Sequence, residues 1–362
     1  MTQTIKVETR SHPYTVKIIF QGLRHLETHI SRVWSKRQIV IITDEHVGPL
    51  YAQQACAHLS AAGYPTKVLT IPAGEQSKSW SQLEKVVNQL AAWHLSRTDG
   101  IIALGGGVVG DLAGFAASIY LRGIAVIQVP TSLLAQVDSS VGGKTAIDLP
   151  AGKNLVGTFY QPDFVLIDPA VLQTLPQRLL AEGYGEILKC AIMAGSDFWN
   201  LTAHIQSCTA LLQAAPQLIS ASVSFKTAVV TADETETQQR QLLNLGHTVG
   251  HAVEIAAAGR LFHGEAVAIG LYQLTRLFEK KQLTPNGTST LLAQRLQALG
   301  LPLADPALET PAFYQALQHD KKLKQQQLTL IYLKKIGHPA FYELPLAEAM
   351  TWFKHELPQR SH

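Results

Sequence analysis

The sequence predicts an α/β N-terminal domain with a parallel, Rossmann-like sheet, over residues 1–175, and an all-α or mostly helical C-terminal domain over 176–362. Three observations carry this reading. Short apolar runs alternate with amphipathic segments through the first half. A glycine turn follows one of those runs and opens a helical pattern. After Leu175-Pro176 strand-like runs become scarce, and Ala/Leu/Gln-rich helical stretches take over.

The apolar runs are QIVIITD (38–44), TKVLTIPAG (66–74), GIIALGGG (100–107), IAVIQVPTS (124–132) and DFVLID (163–168). Amphipathic segments such as 50–62 and 79–93 lie between them. Continuous apolar strands separated by helices imply parallel βαβ units, buried on both faces. LTLIYL (328–333) is one late candidate for a short strand.

GIIALGGGVVGD reads as strand, glycine turn and helix start, with Gly105, Gly107 and Gly110 in the spacing G-x-G-x-x-G. Glycines there let backbone approach a pyrophosphate, whose charge the helix N-terminus favours. The position is late for an N-terminal fingerprint, and no acid stands at the usual distance downstream. Asp44, at the tip of an earlier strand, is the better partner for a ribose hydroxyl; the alternative is that it caps the next helix. PAGEQSKSW (72–80) places Glu75 and Lys78 at a helix entrance, where solvated charges are the plain alternative. Residues 130–162 carry Asp138, Lys144, Lys153 and Asn154 among glycines and small residues. Lysines in such turns reach a phosphate or carboxylate as point charges, and a long, little-charged, glycine-rich segment suits a binding loop.

In the second half, Glu186 and Lys189 are three apart and share a helix face, as an ion pair would. Lys226 lies on a helical stretch, where a lone lysine is usually solvated. His247 and His251 are four apart and share a face. Arg240 and Asn244 continue that phase upstream, so one helix face is expected to present all four. His263 follows a glycine-containing loop and could return to the same place. Neutral imidazoles grouped in this way suit a divalent transition metal, with a carboxylate as a common third ligand and an open position for substrate.

The bulk properties exclude several classes. The chain has 362 residues, enough for two domains, and at 46% hydrophobic and 16% charged it is not a disordered type. A net charge of +3 without a long basic run gives no reason to expect nucleic acid. Cys56, Cys190 and Cys208 have no C-x-x-C spacing, so a disulfide framework is not expected and a reducing cytoplasm fits. No secretory signal and no membrane span is read.

The ordered motifs resemble those of the 3-dehydroquinate synthase family, within the sugar-phosphate cyclases. They are P-x-G-E-x-x-K-S at 72–79, GGGVVGDLAGF at 105–115, LLAQVDSSVGGKT at 133–145, GKNLVG at 152–157, EILK at 186–189, LNLGHTVGHA-x-E at 243–254 and HGEAVAIG at 263–270. The resemblance spans about Asp44 to Lys322 and implies an α/β nucleotide domain followed by a helical metal domain. It implies zinc or cobalt on Glu186, His247 and His263, with His251 a substrate contact instead of a ligand. It implies NAD contacts at Asp44, Glu75, Lys78, Gly106, Gly107, Asp111, Thr131, Ser132 and Thr174, with Lys144 and Lys153 also at the cofactor. It implies a phosphosugar pocket at Asp138, Lys144, Lys153, Asn154, Lys189, Lys226, Arg240, Asn244 and His251. Arg122 would come from the neighbouring subunit of a homodimer, and Lys321 or Lys322 would close the site. Three departures stand out: Ser132 where Thr is usual, Ala146 where Gly is common, and EGYGEILK in place of GLAEVIK.

The implied reaction converts 3-deoxy-D-arabino-heptulosonate 7-phosphate to 3-dehydroquinate and phosphate, with NAD oxidising the substrate transiently and being restored. Two other enzymes share the outline: a cyclase acting on another phosphosugar, and an iron- or glycerol-type alcohol dehydrogenase, which would consume NAD. A nucleotide-binding module without chemistry is a third alternative.

Overall fold

The β-branched runs of the first half form strands because both of their faces are covered. In the computed structural model, which describes residues 2–318, 323–324 and 326–357, the chain divides into two compact units. One comprises residues 1–175 with 226–235, and the other residues 176–225 with 236–362.

The first unit holds strands β1 (Thr2–Val7), β2 (Tyr14–Ile19), β3 (Ile39–Asp44), β4 (Thr66–Ile71), β5 (Gly100–Gly105), β6 (Ala125–Pro130), β7 (Lys144–Leu149), β8 (Gly152–Phe159) and β9 (Phe164–Ile167). Its helices are α1 (Leu26–Ile30), α2 (Gln53–Ala61), α3 (Trp80–Ala92) and α4 (Gly107–Ile119). A seven-stranded sheet runs in the order β1-β2-β9-β6-β5-β3-β4, parallel except for β1 against β2. Alternate residues face opposite sides. Val40, Ile42, Ile101, Ala103 and Val126 pack with Leu112, Ala113 and Ala116 of α4 and with Leu83, Val86 and Leu90 of α3. Ile39, Ile41, Ile102, Leu104, Ile127 and Val129 pack with Leu26, Trp34, Ala52 and Leu59 on the other side. Each such side chain contributes roughly 1.5–3 kcal/mol on burial.

The five apolar runs are thus β3, β4, β5, β6 and β9. Residues 130–162 are not one long loop: a helical turn at 135–139 leads to the β7–β8 hairpin. The hairpin lacks a clean apolar alternation, since β8 is exposed or half-exposed throughout.

The second unit holds α5 (Gln177–Ala194), α6 (Ser196–Leu201), the first part of α7 (Cys208–Ala232), α8 (His247–Ala256), α9 (His263–Lys280), α10 (Thr288–Gln297), α11 (Pro311–Gln318) and α12 (Leu346–Glu356). It is mostly helical, and it also carries a small antiparallel sheet of β10 (Leu323–Lys324), β11 (Gln327–Lys335) and β12 (His338–Pro345). β11 contains the late apolar run. Leu328, Leu330 and Leu344 of that sheet join Phe278, Phe313 and Phe353 in the unit's core. No described helix is long and apolar enough to cross a membrane.

Glycine lets α5, α8 and α9 approach backbone to backbone. A Cβ at Gly264 would lie 2.1 Å from the carbonyl oxygen of Glu182, and one at Gly270 would lie 2.1 Å from that of Gly246. Gly246 also has φ +82, and its Cβ would meet the backbone of Leu271 at 2.9 Å. This kink corrects the expectation of a single helix face from Arg240 to His251. Residues 239–244 form a separate 3-10 helix, and α8 starts afresh at His247 after the left-handed glycine.

Candidate metal centre and nucleotide cradle

In the second unit, α5 supplies Glu186, α8 supplies His247 and His251, and α9 supplies His263 from its first position. The Glu186 carboxylate is fully buried. Its Oε1 lies 3.6 Å from Nε2 of His247 and 3.7 Å from Nε2 of His263. Two ligand atoms at about 2.0–2.1 Å from a tetrahedral ion stand about 3.4 Å apart, so these gaps match a shared cation. Lys189 Nζ lies 2.5 Å from Glu186 Oε2, yet neither carboxylate oxygen accepts a hydrogen bond of ordinary geometry. The expected Glu186–Lys189 ion pair therefore exists, and it leaves Oε1 facing imidazoles. The three imidazoles offer nitrogens within 4.8 Å of one another, so His251 joins the cluster.

The rear nitrogens of two rings are engaged. His247 Nδ1 lies 3.2 Å from the carbonyl oxygen of Leu245, and His263 Nδ1 lies 3.1 Å from Glu254 Oε2. Burial draws the His263 imidazole down, but the hydrogen bond to Glu254 and the charges of Glu254 and Glu186 outweigh it, and the ring ends above its ordinary value. Glu182, one turn before Glu186, is pushed up to about 7 by burial, partly offset by His263 and the Gly264 N–H. Glu254 was given no role from sequence. The signal was present, because it stands seven residues after His247 on the same helix face. Asn244 Nδ2 donates to Glu236 Oε1 at 2.8 Å, and Glu236 was also passed over. Arg240 is buried.

In the first unit, the residues expected at the cofactor gather at the C-terminal ends of parallel strands. Asp44 ends β3, Glu75 and Lys78 follow β4, Gly106 and Gly107 follow β5, Thr131 and Ser132 follow β6, and Thr174 lies beyond β9. The strand order reverses between β3 and β5. Such a switch point is where open α/β sheets take ligands. Asp44 Oδ1 accepts the N–H groups of His46 and Val47 in the turn that leads to the next helix, whose own N-cap position is Val47. A Cβ at Gly105 would clash with Val109 at 2.6 Å, so that glycine serves the packing of β5 against α4. Gly106 and Gly107 instead face the hydroxyls of Ser132 and Ser139.

Lys78 is not a solvated charge. It is only 4% exposed, and its Nζ lies 2.8 Å from Asp111, 3.6 Å from Glu75 and 3.9 Å from Asp148. Burial pulls its pKa down, but the three carboxylates outweigh that and hold it above the ordinary lysine range. Lys78 also donates to Asn154 Oδ1. Asn154 has φ +54, and its own N–H donates to Asp148 Oδ1 at 2.7 Å. Lys153 Nζ stands 3.7 Å from Glu75. Asp148 is thus another residue that sequence reasoning missed. Lys226 is buried, donating to the backbone oxygen of Asp138 at 2.5 Å and to its Oδ1 at 2.7 Å. Lys144 opens β7, and Arg122 is exposed on a left-handed backbone at the end of a 3-10 turn. Lys321 and Lys322 lie outside the described residues.

Residues 68–182 match the family model described as 3-dehydroquinate synthase N-terminal, and residues 183–323 match 3-dehydroquinate synthase C-terminal. A 3-dehydroquinate synthase of Lactiplantibacillus plantarum is 58% identical over 348 residues, spanning 96% of this chain and 97% of that relative. The chain belongs to the 3-dehydroquinate synthase family.

Solved structures place this family member beside other sugar-phosphate cyclases. 2-Deoxy-scyllo-inosose synthase, complexed with carbaglucose-6-phosphate, NAD+ and Co2+, superposes with TM-score 0.89 at 27% identity, covering 98% of this chain and 100% of that one. A 2-epi-5-epi-valiolone synthase from Streptomyces hygroscopicus, with NAD+ and Zn2+ bound, gives TM-score 0.84 at 27% identity, covering 94% and 97%.

Proposed function

We propose that this protein is a 3-dehydroquinate synthase, a phosphate-eliminating carbon–oxygen lyase of the shikimate pathway. It converts 3-deoxy-D-arabino-heptulosonate 7-phosphate to 3-dehydroquinate and phosphate by transient oxidation, elimination, re-reduction and intramolecular aldol closure. One observation carries the metal side of this reading: a fully buried carboxylate aimed at two imidazole Nε2 atoms, at 3.6 and 3.7 Å.

Glu186, His247 and His263 would hold a divalent zinc or cobalt ion. The NAD site would be built from Asp44, Glu75, Lys78, Gly106, Gly107, Asp111, Thr131, Ser132 and Thr174, with Lys144 and Lys153 beside it. When bound, the ion supplies a Lewis acid that lowers the pKa of a substrate hydroxyl, and the nicotinamide accepts and returns a hydride.

The chain's own residues bind and orient. The N–H groups at the start of α4 would face the pyrophosphate, and Gly106 and Gly107 would keep that approach open. Asp44 Oδ2 is the oxygen left for a ribose hydroxyl, since Oδ1 caps the following turn. From the first unit, Lys144, Lys153 and Lys226 meet anionic groups of the substrate as point charges, with Asn154 as a hydrogen-bond donor. From the second unit, Arg240 matches a carboxylate with its planar fork, and Lys189 and Asn244 add donors. Asp138 and His251 orient hydroxyls and move protons. Orientation and fixed charge are the protein's main contribution.

A homodimer is part of the same proposal. Ile119, Leu121, Leu155 and Phe159 are exposed around the end of α4 and along β8, where the Ser118 and Thr158 hydroxyls bond at 2.9 Å. Leu121 and Arg122 both have positive φ, a backbone cost of order 1–3 kcal/mol each. A second copy covering this surface would bury the apolar groups and take up Arg122 at its site. We place the enzyme in the cytoplasm, where a biosynthetic protein with three free thiols would stay reduced.

The test is phosphate release from the heptulosonate phosphate, with and without NAD and a chelator. The reading requires release that needs NAD, is abolished by the chelator and leaves no net NADH absorbance. Net NADH accumulation without phosphate release would make the protein a dehydrogenase instead.

A further inference from the structure

Glu254 is buried, carries a formal negative charge, and has no part in the binding scheme above. Its carboxylate oxygen Oε2 lies 3.1 Å from Nδ1 of His263, whose Nε2 points to Glu186 at 3.7 Å. His247 shows the same arrangement with a different acceptor, the carbonyl oxygen of Leu245 at 3.2 Å behind the ring and Glu186 at 3.6 Å in front.

The two rings differ in how firmly the chain holds them. The His247 side chain is 9% exposed and is fixed through backbone two residues away. The His263 side chain is 30% exposed and follows the 257–262 loop. The backbone at His263 has its own fasteners. Arg178 meets both carboxylate oxygens of Glu265 at 2.6 and 2.8 Å, and Glu265 accepts the Phe262 N–H at 2.8 Å. Those contacts seat the start of α9 but leave the imidazole to rotate about its own side-chain torsions. Glu254 supplies a hydrogen bond to the ring itself, which also packs against the imidazoles of His247 and His251.

We propose that Glu254 is a positioning residue for the metal centre: by accepting a hydrogen bond from His263 Nδ1–H it fixes the tautomer and the plane of the ring, so that Nε2 would present its lone pair to the ion beside Glu186. The inference rests on the metal site proposed above. An anionic acceptor also makes Nε2 a stronger donor, as outer carboxylates do for metal-bound histidines.

The experiment compares wild type, Glu254→Ala and Glu254→Gln, each stripped of metal. Zinc affinity is read by competition with a chromophoric chelator, and the visible spectrum is recorded after cobalt loading. The Ala variant is expected to bind zinc about 10- to 100-fold more weakly, the range for loss of such partners. Its cobalt bands shift, while its metal-free melting temperature and its NAD affinity match wild type. The Gln variant, whose amide oxygen accepts the same hydrogen bond without charge, falls between the two. A merely structural role would lower the metal-free melting temperature and leave zinc affinity unmoved, and that result overturns the proposal. If the Ala variant does not fold, the Gln variant decides, and zinc affinity within twofold of wild type with an unchanged cobalt spectrum overturns it. Wild-type protein that binds no zinc would sink the metal-site reading itself, an outcome separate from equal binding by wild type and variants.

Discussion

Glu186 Oε1 lies 3.7 Å from His263 Nε2, although the two residues sit on different helices, 77 positions apart (263 − 186), and the glutamate is fully buried. A buried carboxylate with one oxygen beside Lys189 and the other facing imidazoles is costly without a further positive charge. Replacing His263 by Ala removes one proposed ligand. Turnover should fall by several orders of magnitude, since a Lewis acid contributes several kcal/mol of transition-state stabilisation. NAD binding, proposed for residues of the other unit, should survive. Metal content by elemental analysis alongside phosphate release checks this, and full activity with a full complement of metal would remove His263 from the ligand set.

Lys78 sits among Asp111, Glu75 and Asp148 while 4% exposed. Lys78→Met keeps the aliphatic stem but strands those carboxylates. The loss of a buried partner typically costs about 3–5 kcal/mol. Chemical denaturation should show that loss, and NAD affinity by fluorescence titration should drop with it. Adding Asp111→Leu to the variant should recover part of the stability. A single variant as stable as wild type would mean that water already screens the cluster.

Glu182 gives a pH signature. Its folded-state pKa of about 7 stands above the ordinary 4.5, with burial as the main cause. A raised carboxyl pKa favours folding while the group is protonated, so its contribution is present below pH 4.5 and is lost as pH rises through about 7. In metal-free protein, Glu182→Gln should therefore melt close to wild type at pH 5 and above it at pH 8. Bound metal should narrow the difference, because a cation near His263 favours the charged carboxylate. Melting curves at the two pH values, with and without zinc, check the sign. A variant that is destabilised more at pH 8 than at pH 5 contradicts it.

Gly264→Ala tests the close approach of α5 and α9. The added Cβ would stand 2.1 Å from a backbone oxygen, so the helices must separate. Overpacking of this kind costs about 1–3 kcal/mol. For a protein of 362 residues, that corresponds to a drop of roughly 1–4 °C in melting temperature. Metal affinity should weaken with it, since Glu186 and His263 ride on the two helices. An unchanged melting temperature would mean that the backbones are not in contact.

The parallel strands were legible in the sequence because burial on both faces forces continuous apolar runs. β7 and β8 were not, since β7 is short and β8 is an exposed, glycine-containing strand with no such pattern to read. The kink at Gly246 was hidden for another reason. The phase from Arg240 to His251 is helical, and only the approach of Leu271 makes a left-handed glycine necessary. Lys78 looked like surface charge because two of the three carboxylates around it, Asp111 and Asp148, come from distant segments. The histidines themselves were plain from spacing, but the carboxylate facing them came only with the family motifs, because residue 186 is far away along the chain.

Anomalous diffraction at the zinc edge, from crystals grown with the metal, tests the central claim most directly. The account predicts one strong peak about 2.0–2.2 Å from a Glu186 oxygen and from the Nε2 atoms of His247 and His263. A peak elsewhere, or one held by the histidines while Glu186 bonds only Lys189, would contradict it.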